Sequence, residues 1–530
     1  MTTVVDAIAS GGRGGSLTVL DAEGRAEELS WARVHLRARR VAAVLAGEGV
    51  GRGRRVGLLA DTSVDLVSVL QAVWLTGGAV TVLPVGAGGH RDRDRVRAVA
   101  ADAALDLVVV ADPAVGALGA PVLPLADLVR RSAIAAPAPV IRPAPSDLAV
   151  LQYTSGSTRT PRGVPVSHAH LAANLDGIRL AAGHEADHPG PLLSWLPLYH
   201  DMGLIGGLAL PMSCGCPLVL MSPVGFARRP AAWLAAIHRY RPTCTGGPTF
   251  AFGLLARILR AAPAADLRSL RHLVLGGEPV DPATMADFLA AAAPCGLDPA
   301  ALAPAYGLAE STLAVTYSPR GQGLRVDRVD PVTLETAGVA VAAAGGRALA
   351  RLGPPLPGVS LRIVDRATGA EVGERRVGHI EVRGPSVVGR YWGEPPPPAG
   401  AWLRTGDLGY LADGDLVVCG RAKDVVFAAG RNVYPSDVEA AAAEVPGVRW
   451  GGVAAFGVPA AGGDRLVVAV ESVSRAPETV RRAVVDAVLD EVGLTPAAVL
   501  VLPPRRLPKT SSGKIRGAAA RRLYQCGELS

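Results

Sequence analysis

Short apolar runs of strand character alternate with helix-period stretches along most of this chain, and no other feature constrains its fold as much. Val56-Gly-Leu-Leu-Ala60 is followed by an amphipathic stretch, Val64 to Leu75, and then by Val80-Thr-Val-Leu83. Leu105 to Ala111, Leu148 to Tyr153, Pro217 to Met221 and Leu270 to Leu275 continue the series. A helix between two strands carries the chain back and covers the sheet, so the pattern predicts α/β layers with largely parallel sheets. After about Pro354 the texture changes to hairpin-like segments: Leu361 to Asp365, His379 to Arg383, Leu408 to Leu411 and Leu416 to Cys419. Asp413-Gly414 between the last two is a tight-turn signal. The run Pro395 to Pro398 marks an exposed loop. From Asp424 onward, a helix near Pro435 to Glu444, a strand at Leu466 to Glu471 and a helix at Glu478 to Val492 predict a small α+β lobe. At 530 residues the chain exceeds one ordinary hydrophobic core, which also predicts two or more domains.

Composition excludes several classes. Hydrophobic residues at 49% and charged ones at 19% exclude a disordered chain. The N-terminal Met1 to Asp6 has no basic segment followed by an apolar core. No uninterrupted apolar stretch is long enough to span a bilayer; Leu105 to Leu125 is broken by Asp112, Pro113 and Pro121. Six cysteines are too sparse for a disulfide framework, and Cys214-Gly-Cys216 lacks a second ligand pair for zinc. The expectation is a soluble, cytoplasmic protein with no membrane insertion.

Charge is distributed unevenly. The net charge is +7, and from Arg421 to the end fifteen basic residues face eleven acidic ones. Seven cations and no acid lie between Arg505 and Arg522, which reads either as solvated surface or as a dock for phosphates or an acidic partner. No aromatic interleaving accompanies them, so nucleic acid is not an expected partner. Of 54 basic residues only three are lysine: Lys423, Lys509 and Lys514. An ammonium is a compact point charge that a planar guanidinium does not replace, so these three positions are candidates for chemistry.

The segment Tyr153-Thr-Ser-Gly-Ser-Thr-Arg-Thr-Pro-Arg-Gly163 follows a predicted strand and is rich in hydroxyls and small residues. Its backbone N–H and side-chain O–H groups can converge on phosphate oxygens; the alternative is a polar surface loop. It is not a P-loop, because no Gly-Lys-Ser/Thr follows and no helix is expected to begin there.

This loop resembles the phosphate-binding signature of the adenylate-forming superfamily, and further motifs match in order over nearly the whole chain. Gly276-Gly277-Glu278-Pro279 is similar to the adenine-binding turn. Tyr306-Gly307-Leu-Ala-Glu310 resembles the motif whose tyrosine stacks on the base and whose glutamate holds Mg²⁺. Trp402 to Asp407 resembles the segment whose aspartate grips the ribose, and Gly420-Arg421-Ala-Lys423-Asp424 resembles the interdomain hinge, with Arg421 on the ribose. Pro508 to Lys514 resembles the catalytic-lysine loop. Taken singly, Glu310 could cap or pair on a surface, Asp407 could be a turn residue and Lys514 could be solvated; the ordered set is what carries the resemblance.

The resemblance implies an adenylate-forming enzyme fold: an N-terminal adenylation domain over residues 1–420 with a small β-barrel-like subdomain, and a small mobile C-terminal α+β domain over 421–530. It implies ATP and Mg²⁺ as cofactors, with Thr154, Ser155, Gly156, Ser157 and Thr158 on the phosphates and Lys514 between the acid's carboxylate and the α-phosphate. Within the superfamily, Trp195 to Gly203, with His200 near the carboxylate, resembles the fatty acyl-AMP ligases, as do Arg159 and Ala309. In that branch a hydrophobic, typically fatty acid is activated and then passed to the phosphopantetheine thiol of a holo acyl carrier protein, often for polyketide or lipopeptide synthesis. Pro319 to Leu349 is the candidate for an insertion that restrains the small lobe; its alternative is a lengthened loop. Arg162, and the segment Leu83 to His90, depart from the usual pattern. An acyl-CoA synthetase and an inactive acyl- or nucleotide-binding module are the rival readings.

Overall fold

The computed structural model describes residues 3–10, 14–84, 90–154, 161–183, 190–262, 264–428, 431–460, 463–474, 476–509 and 515–529. Among them, two large sheets form the body. A six-stranded sheet runs in the order Val122–Pro124, Leu107–Val110, Arg55–Leu59, Ala79–Val82, Leu148–Thr154, Arg162–Ser167, parallel except for the last pair. An eight-stranded sheet runs Ala314–Tyr317, Leu302–Gly307, His272–Leu275, Cys244–Gly247, Leu192–Ser194, Leu218–Met221, Ser16–Leu20, Ala26–Ser30, with antiparallel pairing only at its two edges. The expected parallel layers are therefore present.

The principal core lies between these sheets. It joins Leu17, Leu218 and Leu220 of one with Val56, Val80 and Val109 of the other through helices Trp31–Gly47 and Val64–Leu75. Here one expectation is corrected. Val64–Leu75 is not amphipathic in place: every residue but Asp65 is buried, because a helix caught between two sheets has no solvent face. Buried indoles within this layer find partners, Trp74 Nε1 donating to the Ala149 carbonyl at 2.9 Å and Trp31 Nε1 to that of Cys216 at 2.7 Å.

The later segments form smaller sheets. Ser360–Val364, Gly378–Arg383, Leu403–Ala412 and Asp415–Arg421 build a four-stranded antiparallel sheet. Its last hairpin turns through Asp413 and Gly414, at φ +50° and +79°, the two left-handed residues that a tight two-residue hairpin needs. At the C-terminus, Val448–Ala460, Gly463–Ser472 and Ala498–Leu502 form a three-stranded sheet with helices Pro435–Ala443, Pro477–Val492 and Gly517–Gln525.

Residues 319–349 are structured. Strand Val326–Val329, helix Pro331–Ala337 and strand Arg347–Ala350 form a hairpin-like unit. Val329, Leu334 and Leu349 share a buried cluster with Tyr410 and Val417 of the four-stranded sheet and with Tyr434, which precedes the first C-terminal helix. Polar contacts reinforce that seam: Arg347 pairs with Asp437 at 2.8 Å and lies over the Tyr434 ring, Arg431 pairs with Glu335 at 3.4 Å, and Asn432 Nδ2 donates to the Glu335 carbonyl at 3.0 Å.

Candidate functional site

A cleft of about 2650 Å³ opens between the two large sheets' strand ends, the four-stranded sheet and the C-terminal sheet. Elements from distant parts of the sequence deliver the expected residues to it. Thr154 ends a strand; its side chain and Ser155, Gly156, Ser157 and Thr158 lie outside the described residues, but Tyr153 and Arg162 on either side line the cleft. After residue 161 the chain returns as an antiparallel strand, so no helix follows the loop, as expected.

Gly276, Gly277 and Glu278 form a turn at the end of strand His272–Leu275 and line the cleft. Gly277 has φ +81°, where a side chain would strain the backbone. Glu278 accepts from the Phe250 amide at 2.8 Å, at the first turn of helix Thr249–Ala261, where a carboxylate satisfies an otherwise unpaired N–H.

Tyr306 and Gly307 end the next strand. A Cβ on Gly307 would stand 1.9 Å from the Leu313 carbonyl oxygen, so only glycine permits the hairpin that brings Glu310 back to the cleft. Glu310 sits in a single 3₁₀ turn, Ala309–Ser311, and its Oε1 accepts from the Tyr391 hydroxyl at 2.6 Å. The Tyr306 hydroxyl donates to Asp407 at 2.6 Å, and Arg421 lies opposite Asp407 in the neighbouring strand at 3.4 Å. Burial raises the Asp407 pKa above the usual aspartate value, against the pull of Arg421 and the tyrosine hydroxyl. Lys423, in the turn after Arg421, also lines the cleft, and burial lowers its pKa.

His200 lies at the cleft with Nδ1 2.6 Å from Asp201, which fixes the ring's orientation. The π-helix Met202–Ala209 begins directly after it, and Gly203 approaches Pro197 so closely that a Cβ would stand 2.2 Å from its carbonyl oxygen. The apolar part of the lining includes Ile178, Leu192, Leu210, Leu313 and Tyr317.

Lys514 lies outside the described residues. The positions that flank its loop, Lys509 and Ile515, pair with each other and line the cleft, and Lys509 Nζ donates to the Gly451 carbonyl at 2.6 Å. Trp450, next to Gly451, packs toward Phe250, with ring centroids 6.4 Å apart, and fills the space above Gly253, where a Cβ would stand 2.6 Å from the indole.

Sequence reasoning missed Tyr391, Glu394, Trp450 and Phe250. Arg390-Tyr-Trp-Gly-Glu394 stands just before the proline run and has no catalytic spacing, so only its contacts reveal it. It also missed that Leu403 to Asp407 is the first half of a ten-residue strand, because Arg404, Thr405 and Asp407 interrupt the apolar pattern, the last two lining the cleft.

Residues 10–392 match the family described as AMP-binding enzyme. Among similar proteins, Rv1013 of Mycobacterium tuberculosis, whose name goes no further than ligase, is 40% identical over 92% of this chain and 93% of its own length. FadD26 of Mycobacterium marinum, named a long-chain-fatty-acid–AMP ligase, is 36% identical over 96% of this chain and 93% of its own. A structure from work on fatty acyl-adenylate ligases of E. coli and L. pneumophila superposes with a TM-score of 0.90 at 33% identity, covering 99% of this chain and 98% of that one. The chain belongs to the AMP-binding enzymes, the adenylate-forming superfamily. It is a ligase with the mixed α/β fold of that superfamily.

Proposed function

We propose that this ligase activates a fatty or comparably hydrophobic carboxylic acid with ATP and passes the acyl group to the phosphopantetheine thiol of an acyl carrier protein. The observation that carries the reading is one cleft lined by both a polar cluster and apolar side chains. Tyr306, Asp407, Arg421 and the Gly276–Glu278 turn make a polar part suited to adenosine, and the same cleft is lined by His200 and by the apolar Ile178, Leu192, Leu210 and Leu313. The similarity to proteins named fatty-acid–AMP ligases supports it.

In the first step a carboxylate oxygen attacks the α-phosphorus, the bond to the bridging oxygen breaks, and pyrophosphate leaves with the electron pair. In the second, the carrier thiol attacks the acyl carbonyl, AMP departs, and the thiol proton is lost to solvent or a nearby base. Hydroxyl and backbone donors of Thr154 to Thr158 would hold the departing phosphates. Lys514 would bring its charge between the two anions, acting by position and not as a base.

Among the described residues no group of three or more His, Cys, Asp or Glu could hold a metal by itself. A lone cleft-lining carboxylate such as Glu310, with no described residue bonded to its Oε2, suits Mg²⁺, which takes one or two carboxylates and completes its shell with phosphates and water. Bound there, Mg²⁺ would offset charge on the departing pyrophosphate.

The chain is proposed to divide at the turn after Arg421, with Lys423 in a hinge between residues 1–420 and 421–530. Packing of 319–349 against residues 431–437 supports a restraint on lobe rotation that disfavours free CoA as acceptor. A cytoplasmic location is part of this proposal; no described helix is long and apolar enough to cross a membrane.

The test is mass spectrometry of products after incubation with ATP, a panel of acids, CoA and holo-carrier protein. The expected products are acyl-AMP alone, and acyl-carrier when the carrier is present. Acyl-CoA formed as fast as acyl-AMP would establish an acyl-CoA synthetase instead. No pyrophosphate release with any acid would leave a binding module.

A further inference from the structure

We infer that Tyr391 is a positioning residue for Glu310, and that the turn from Arg390 to Glu394 ties the exit of the phosphate loop to that carboxylate. This rests on the adenylation reading above. The Tyr391 hydroxyl donates to Glu310 Oε1 at 2.6 Å, and the Val388 amide donates to the Glu310 carbonyl at 2.8 Å, so the same segment holds both the side chain and the backbone of Glu310. On its other side, the Tyr391 ring carries the Arg162 guanidinium at 3.4 Å from its centroid. Glu394 closes the arrangement: one carboxylate oxygen accepts from Arg162 Nη2 at 2.6 Å, the other from the Tyr391 amide at 2.9 Å. The Trp392 amide donates to the Gly163 carbonyl at 2.7 Å, anchoring the turn to the strand that leaves the phosphate loop.

The consequence is geometric. An isolated glutamate on a single helical turn samples several rotamers, whereas one that accepts a short hydroxyl bond through Oε1 presents Oε2 in a fixed direction. Arg162, which departs from the usual residue at its position, has a built seat: an aromatic face below it and a carboxylate at its edge. Tyr391 thus does two separable things, the hydroxyl serving Glu310 and the ring serving Arg162.

Tyr391→Phe removes the first and keeps the second. Mn²⁺ binding to the enzyme–ATP complex, followed by electron paramagnetic resonance, reads the metal side directly, and the Mg²⁺ dependence of acyl-AMP formation reads it in turnover. Tyr391→Phe is expected to weaken Mn²⁺ binding and raise the half-saturating Mg²⁺ about 10-fold, with a smaller fall in kcat and unchanged metal-free ATP affinity and melting temperature. In a Glu310→Gln background it is expected to add nothing further. Wild-type metal affinity in Tyr391→Phe, or the same loss whether or not Glu310 is present, would overturn the inference. If the wild-type enzyme forms no acyl-AMP from any acid, the adenylation reading fails by itself, and the Mn²⁺ measurement still decides whether Tyr391 acts through Glu310.

Discussion

The two walls of the cleft are built from different kinds of contact. On the wall built from the large sheets and the four-stranded sheet, the candidate groups are fixed by neighbours: Tyr306 by Asp407, Glu310 by Tyr391, His200 by Asp201 and Glu278 by a helix N-terminus. On the C-terminal wall, the loop that bears Lys514 lies outside the described residues, and the positions flanking it are held mainly through the backbone: Lys509 to the Gly451 carbonyl, the Arg516 amide to the Pro508 carbonyl and the Leu507 amide to Glu471, with Trp450 against Phe250 and Gly253. Between them runs the seam formed by residues 326–350. One wall holds the candidate polar groups in side-chain pairs, and the other, in the proposed reaction, would bring the charge of Lys514 to them. That division suits a reaction whose two steps need different groups at the same centre.

The sharpest way to break this comparison is to remove the delivered charge. Lys514→Ala is expected to slow acyl-AMP formation at least ~100-fold, the size of a lost charge-assisted transition-state contact worth about 3 kcal/mol, while largely sparing transfer from supplied acyl-AMP. Pyrophosphate release and a single-turnover transfer assay measure the two halves separately, and equal loss in both would make Lys514 structural. Lys514→Arg should also be slow.

A second change tests whether the walls meet as described. Gly253→Leu places atoms where the Trp450 indole lies, 2.6 Å from the would-be Cβ. It is expected to lower adenylation roughly 10-fold by pushing the C-terminal wall away, since small misplacements of a reacting group carry large rate costs. The double variant with Trp450→Ala should recover much of the rate; no recovery would mean that Gly253 acts within its own helix.

The seam itself is tested by shortening it. Val329 and Arg347 are paired across antiparallel strands, so residues 330–346 can be replaced by an Asn-Gly turn without separating them. Acyl-CoA formation should rise several-fold with adenylation nearly unchanged, because a restraint on rotation biases only the second arrangement. A rise in neither product, with the fold intact, would remove the proposed restraint.

The smallest expected effect is a pH dependence. Burial raises the Glu335 pKa to about 7 from its ordinary 4.5, and that of Asp437 to about 6. A carboxyl that holds its proton more tightly in the folded seam than outside it contributes stability that is full below about pH 4.5 and lost as pH rises through about 7. Hydrogen exchange of helix Pro331–Ala337 should therefore quicken roughly two- to three-fold over that interval, because opening one short helix relieves only part of the burial. Glu335→Gln should flatten the profile to the part owed to Asp437; an unchanged slope would assign the effect elsewhere.

Much of the fold was legible because its signals are local. Continuous apolar runs mark strands covered on both faces, and Leu107–Val110, buried at all four positions between parallel neighbours, is such a case. Asp413-Gly414 announced its hairpin because few residues tolerate two left-handed positions in succession. The candidate site was legible for a different reason: each of its motifs is contiguous, so Tyr306 to Glu310 or Gly276 to Glu278 can be read as a unit. Helix Val64–Leu75 was misread as amphipathic because its polar residues, Ser68 and Gln71, suggest a wet face, and only the second sheet packed over it buries them.

The sequence by itself determined the alternation of elements, the order of the motifs and the scarcity of lysine that points to the C-terminal loop, all properties of neighbours along the chain. Only the tertiary structure decided that Tyr391 reaches Glu310 across 81 positions, that Arg162 reaches Glu394 across 232, and that residues 326–350 pair with residues 431–437. These contacts have no period and no spacing rule. They exist because the layers of the fold bring distant strand ends and turns to one edge, where charge and hydrogen-bonding capacity taken out of water must find partners in space, whatever their distance in sequence.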